Sequence, residues 1–164
     1  MINKNVQDAI NEQIKNELYS AYLYLAMSAH FEAANFSGFA RWTRMQADEE
    51  MEHAMKLFDY LNERGGRVIL QAIDQPPIEY GEPLEIFKMI LAHEQKVTGL
   101  IHQLYETASK ENDYATQVML HWFIDEQVEE EDSAGAIVDQ LKMIDENKGY
   151  LLVVDQQIGK RQSE

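Results

Sequence analysis

The sequence predicts an all-α protein: a four-helix bundle with one long crossover connection, followed by a short fifth helix. Three observations carry that prediction. Four long stretches repeat apolar residues at helical spacing, and no strand-like alternation of comparable length competes with them. The prolines, Pro76, Pro77 and Pro83, all fall between the end of the second stretch and the first turn of the third. The connections within each half are short, whereas the one joining the halves, Gly65 to Glu82, is long.

The first helix is predicted over 4–32, with an inward stripe through Ile10, Ile14, Ala21, Leu25 and Ser28. Asn35, Ser37 and Gly38 separate it from the second, over 36–64, whose inward face reads Trp42, Gln46, Glu50, His53, Leu57 and Tyr60. Gly65-Gly66 stops that helix. Helices of this length are roughly 42 Å long at ~1.5 Å per residue. The connection can stretch to about 60 Å, enough to run the bundle's length and set the second and third helices parallel. Pro83 suits the first turn of the third helix, over 83–110, with Phe87, Ile90, Glu94, Val97, Ile101 and Leu104 inward. Asn112-Asp113 opens the fourth, over 113–144, with Asp113 as N-cap and Met119, Phe123, Gln127, Glu130, Ala134, Ile137 and Leu141 inward. Gly149 follows it, and a fifth helix is predicted over 148–158. Residues 1–145 read as the bundle and 146–164 as a helix and tail of the same single domain. Trp42, Trp122 and most of the eight methionines are assigned to the core.

Composition narrows the function classes. The 164 residues are 45% hydrophobic, enough for a substantial core. The chain has no cysteine, which excludes disulfides, thiolate metal sites and cysteine nucleophiles. A formal net charge of −15 disfavours nucleic acid and anionic membranes as partners and attracts cations. The longest mostly apolar stretch, Leu18 to Ala29, falls short of the ~20 residues that span a bilayer. The polar start, Met1 to Gln13, does not read as a signal peptide, so a cytoplasmic location is expected.

Each inward stripe is interrupted near its middle by a polar residue. One such Glu taken alone reads as a surface residue that snorkels. Four together repeat a pattern: 33 positions separate Glu17 from Glu50 and also Glu94 from Gln127. Glu50 is followed three residues later by His53, and Gln127 three later by Glu130. Each pair falls at nearly one height, roughly 22 Å from its turn at ~1.5 Å per residue, and residues at i and i+3 share a face. Six polar groups therefore converge at mid-bundle. Buried carboxylates in such numbers keep their protons or take up cations. Oxygen ligands with one imidazole and no sulfur suit iron or manganese and tolerate zinc.

At these residues the sequence resembles the ferritins, in particular the non-haem ferritins of bacteria and archaea, over essentially its whole length. Glu17, Glu50-x-x-His53, Glu94, the run Glu126 to Glu130 and the segment Glu17 to Tyr22 carry the resemblance. It implies ferroxidase activity: ferrous iron oxidised by dioxygen or hydrogen peroxide at a di-iron centre, then stored as hydrated ferric oxide. Glu17 and His53 resemble ligands of the first iron and Glu50 the bridge. Glu94 and Glu130 resemble ligands of the second, with Gln127 beside it. Glu49, Glu126 and Glu129 resemble a third iron position, a reading that overlaps with that of a solvated acidic face. Tyr24, two turns beyond Glu17, resembles a tyrosine that supplies an electron, and reads equally as a core aromatic with its hydroxyl bonded. The resemblance also implies a homo-oligomer, a hollow shell of 24 subunits. The apolar segment Tyr150 to Val154 independently predicts packing between copies.

The second half departs from the general di-iron pattern by reading Gln-x-x-Glu where Glu-x-x-His recurs. Two unequal iron positions are expected, the second weaker. The missing second histidine argues against a haem-carrying bacterioferritin-like shell and against a di-iron oxidase or peroxidase without storage. No haem is expected: Met51, where haem-bearing relatives place a ligand, reads as a packing residue. His30, His93, His102 and His121 show no second ligand spacing and are assigned to structure or surface.

Overall fold

The structure, a computed structural model, describes residues 2–145 and 147–162. Five helices, α1 (Lys4–Ala33), α2 (Ser37–Glu63), α3 (Pro83–Lys110), α4 (Tyr114–Met143) and α5 (Lys148–Ile158), follow the predicted order and bounds closely. Among the described residues none is long and apolar enough to cross a membrane.

Local chemistry sets the ends. Asn3 caps α1, its side chain accepting from the Asn5 N–H at 2.7 Å. Four helices end through a left-handed residue: Asn35 (φ 62°) after α1, Gly65 (φ 71°) after α2, Asn112 (φ 54°) after α3 and Asp145 (φ 41°) after α4. The next amides then reach back, as when the Gly66 N–H meets the Leu61 carbonyl at 3.0 Å. Asp113 caps α4, accepting from the Thr116 N–H at 3.0 Å. Asn147 caps α5.

Gly38 does more than separate the first two helices. Ser37 and Gly38 lie inside the first turn of α2, where Gly38 admits α5: a Cβ there would stand 1.7 Å from the Asp155 carbonyl oxygen. Gly149 follows α4, which stops at Met143, and lies inside the first turn of α5, within the helix predicted over 148–158.

The crossover lies along α1. Asn11 donates to the Arg67 carbonyl at 3.0 Å and accepts from the Ile69 N–H at 2.8 Å, and Tyr80 packs on His30 at the far end. Phe39 and Phe87, near the N-termini of α2 and α3, have ring centroids 5.3 Å apart, so those two helices run parallel. Arg64 at the end of α2 pairs with Asp113 at the start of α4, so these two run antiparallel.

The apolar core is split in two. One cluster holds Tyr24, Phe31, Phe39, Trp42, Phe87 and Leu141; the other holds Ile10, Ile14, Leu57, Leu61, Ile101 and Phe123. The polar residues at mid-bundle lie between them. Some apolar residues depart from their predicted places. Leu25 is exposed because successive i+4 steps drift ~40° each around the helix, and Tyr24 takes the inward position instead. Trp122 and the methionines Met51, Met55, Met89 and Met143 are also exposed; Met27 is fully buried.

Candidate metal centre

Glu17 on α1, Glu50 and His53 on α2, Glu94 on α3, and Gln127 and Glu130 on α4 are all buried at one level of the bundle. Buried apolar residues flank the group along each helix, Ile14 and Ala21 on α1, Ala47 and Leu57 on α2, Ile90 and Val97 on α3, and Phe123 and Ala134 on α4, so the backbone cannot turn it to water without exposing core. Glu17, Glu50 and His53 place ligand atoms within 4.8 Å of one another. The His53 Nδ1 is 3.4 Å from a Glu50 oxygen and 4.0 Å from a Glu17 oxygen. The other Glu17 oxygen accepts from the Gln13 amide at 2.7 Å.

The second hairpin is bonded differently. Glu94 accepts from the Tyr24 hydroxyl through one oxygen and from the Gln127 amide through the other, at 3.2 Å. Glu130 accepts from the Gln46 amide at 2.7 Å. Glu130 also forms a second close group with His53 and Glu126, again within 4.8 Å, so the imidazole is shared between an inner and an outer cluster. The His53 Nε2 is 3.9 Å from Glu126.

Burial pushes Glu50 well above the usual carboxylate range, and the charges of Glu17 and Glu94 add to it. Glu94 rises to about 7 through burial, held from rising further by its bonds from Tyr24 and Gln127. Glu130 rises to about 8 through burial and the charge of Glu94. Burial and Glu94 also raise Tyr24, keeping its hydroxyl protonated and donating.

Glu49, Glu126 and Glu129 line a cleft of about 240 Å³ on the outer side of His53. Glu49 is bound there by Arg161, while Glu129 is exposed. His93 is mostly buried, hydrogen-bonded to Ser20 at 2.8 Å, and lowered to about 4 by burial.

Two contributors lay outside the sequence reading. Gln13, one turn before Glu17, was legible as a polar residue on the same face. Arg161 carried no signal, since it lies beyond the last helix.

Buried carboxylates around a shared imidazole, set between two apolar clusters, define a helical-bundle metal-binding protein. Residues 7–144 match the ferritin family, described as a ferritin-like domain. The chain is 44% identical over 161 residues to a bacterial non-heme ferritin of Bacteroides fragilis (strain 638R), covering 98% of this chain and 100% of that one. It is 40% identical to another from Staphylococcus saprophyticus, covering 98% and 96%. The fold superposes on the open pore ferritin of the hyperthermophilic archaeon Archaeoglobus fulgidus with a TM-score of 0.97 at 47% identity, covering 99% and 100%. The chain belongs to the ferritin family.

Proposed function

We propose that this protein binds ferrous iron at the mid-bundle centre, oxidises it with dioxygen or hydrogen peroxide, and stores the ferric product as hydrated oxide inside a shell of its own copies. One observation carries the reading. Among the described residues, five buried side-chain polar atoms have no hydrogen-bond partner, and four belong to Glu17, Glu50 and His53. Such atoms are costly unless something else satisfies them, and a divalent cation does so for several at once.

Glu17 and His53 would hold the first iron, Glu50 would bridge, and Glu94 and Glu130 would hold the second. Gln127 turns its amide nitrogen toward Glu94, leaving its carbonyl oxygen as the only atom it could offer a cation. The raised carboxyls make uptake proton-coupled: ferrous ions entering near pH 7 displace protons from Glu94 and Glu130. Tyr24, bonded to Glu94, would deliver an electron. The outer acids Glu49, Glu126 and Glu129 extend from His53 to the cleft and would pass iron onward. Iron is the substrate here, and the protein supplies ligand geometry and a dry pocket.

The shell reading is supported by apolar residues that the bundle leaves exposed: Ile69, Leu70, Ile73 and Ile78 on the crossover, and Tyr150, Leu152 and Val153 on α5. Val154 of the latter segment is buried, and Leu151 packs partly against the core. A shell of 24 copies would have a mass of about 450 kDa. Elution as a monomer or dimer under mild conditions defeats it, and a Soret band in the purified protein would favour a haem-carrying shell instead. The activity test is the double variant Glu50→Ala/His53→Ala: stopped-flow ferrous oxidation is lost while helicity is kept. Unchanged oxidation would sink the site assignment.

A further inference from the structure

The chain's last described turn reaches back to the centre. The Arg161 Nη2 donates to both oxygens of Glu49, at 2.6 and 2.8 Å, and its Nη1 donates to the Gln46 side-chain carbonyl. With that carbonyl engaged, Gln46 presents its amide nitrogen to Glu130, and donates to it at 2.7 Å. Arg161 therefore touches an outer acid directly and an inner one through Gln46.

Its position is built. Asp155 on α5 accepts from the Phe39 N–H of α2 at 2.8 Å, and Arg41 donates to the Gly159 carbonyl at 2.9 Å. Gly159 lies so close to Gly38 that a Cβ on it would stand 2.6 Å from the Gly38 Cα. The guanidinium itself lies over Trp42, 5.4 Å from the ring centroid. The segment before Arg161 is thus pinned to α2, and the side chain is directed along it.

The cleft it enters is lined by Asp48, Glu49, Glu52, Glu126, Glu129 and Glu130, and Arg161 is the only Lys or Arg among its described lining residues. We propose that Arg161 is the resident counter-cation of this cleft: it holds Glu49 until a divalent ion displaces it, and it positions Glu130 through Gln46. This rests on the reading of the centre as an iron site. The guanidinium brings Glu49 one positive charge, through a single nitrogen. A divalent ion brings two and can take several of these carboxylates together. The Arg161 and Glu49 side chains are each 25% exposed, so water weakens their pair enough for it to yield. Arg161 thereby keeps the outer position from filling before the inner one.

The test is calorimetric titration of the assembled, metal-free protein with zinc, which binds without oxidation. The outer step is the one that Glu49→Gln removes. Arg161→Gln should strengthen that step about fivefold, roughly 1 kcal/mol, and leave the tight step at Glu17, Glu50 and His53 unchanged. Arg161→Lys should return the outer step to near its original strength, because the competing charge is kept. An outer step unchanged in Arg161→Gln overturns the proposal. So does one altered equally by both variants, as undocking of α5 alone would produce, or a Glu49→Gln protein that loses no step. Absence of the tight inner step from every protein would break the iron-site reading itself, and the proposal with it.

Discussion

The two hairpins bring polar side chains to the same height of the bundle, yet they hold them in opposite ways. On α1 and α2, both Glu50 oxygens, one Glu17 oxygen and the His53 Nδ1 are buried without a hydrogen-bond partner. On α3 and α4, Glu94 and Glu130 are satisfied by neutral donors from Tyr24, Gln127 and Gln46. A cation entering the first group relieves strain that is already present. One entering the second must first displace hydrogen bonds. The inequality proposed for the two positions would therefore come from the surrounding donors as well as from the Gln that stands where the general pattern has an acid.

The largest effect expected from this difference follows from removing a ligand on the bare side. Glu17→Ala should weaken the tight ferrous step about 100-fold, or about 2.7 kcal/mol, in anaerobic calorimetry. Glu94→Ala should weaken only the second step. Equal losses from both variants would erase the distinction between the hairpins.

Next in size is a dependence on pH. Glu94 and Glu130 stand at about 7 and about 8 against an ordinary 4.5, so between those values the folded metal-free protein keeps protons that the unfolded chain has released. Stability contributed by these groups is full below about pH 4.5 and is lost as pH rises through 7 and 8. Thermal melts of the metal-free protein should drop over that window, and zinc should flatten the drop. A Glu94→Gln/Glu130→Gln variant that keeps the full slope would place its origin elsewhere.

The third effect isolates Gln127. Gln127→Glu supplies a second-half carboxylate in place of an amide that donates to Glu94, and should bring the second ferrous step about tenfold closer to the first. A gap that stays the same would assign the inequality to Tyr24 and Gln46 alone.

The helices and the convergence of Glu17, Glu50, His53, Glu94, Gln127 and Glu130 were legible because both rest on local periodicity: an i+3 pair and a 33-residue repeat survive any detail of packing. What periodicity does not encode was missed. Leu25 and Tyr24 are adjacent, and only the accumulated drift of the helix decides which one turns inward. Gly38 resembles a helix breaker in one dimension, whereas in three it is the clearance for α5. Arg161 lies over 100 residues in sequence from Glu49, and only the docking of α5 brings them together. Trp122 and the exposed methionines sit on faces that a single bundle has no core to cover.

The smallest effect concerns Tyr24, where the two hairpins meet. Its hydroxyl reaches from α1 to Glu94 on α3, so it belongs by position to the first half and by bonding to the second. Tyr24→Phe keeps the ring among Trp42 and His93 and removes only the donor. Stability should fall by about 1 kcal/mol, and Glu94 should hold its proton to higher pH, since the lost bond favoured its charged form. The same change frees a Glu94 oxygen for a cation, so the second ferrous step should shift by less than about fivefold. If Tyr24 only packs and donates, oxidation at saturating iron keeps its wild-type rate. If it also gives up an electron, oxidation slows in Tyr24→Phe while both ferrous steps remain, a split that stopped-flow and calorimetry on one preparation resolve. An unchanged rate beside an unchanged pH profile would remove Tyr24 from the centre and leave Glu94 to be held by Gln127 alone.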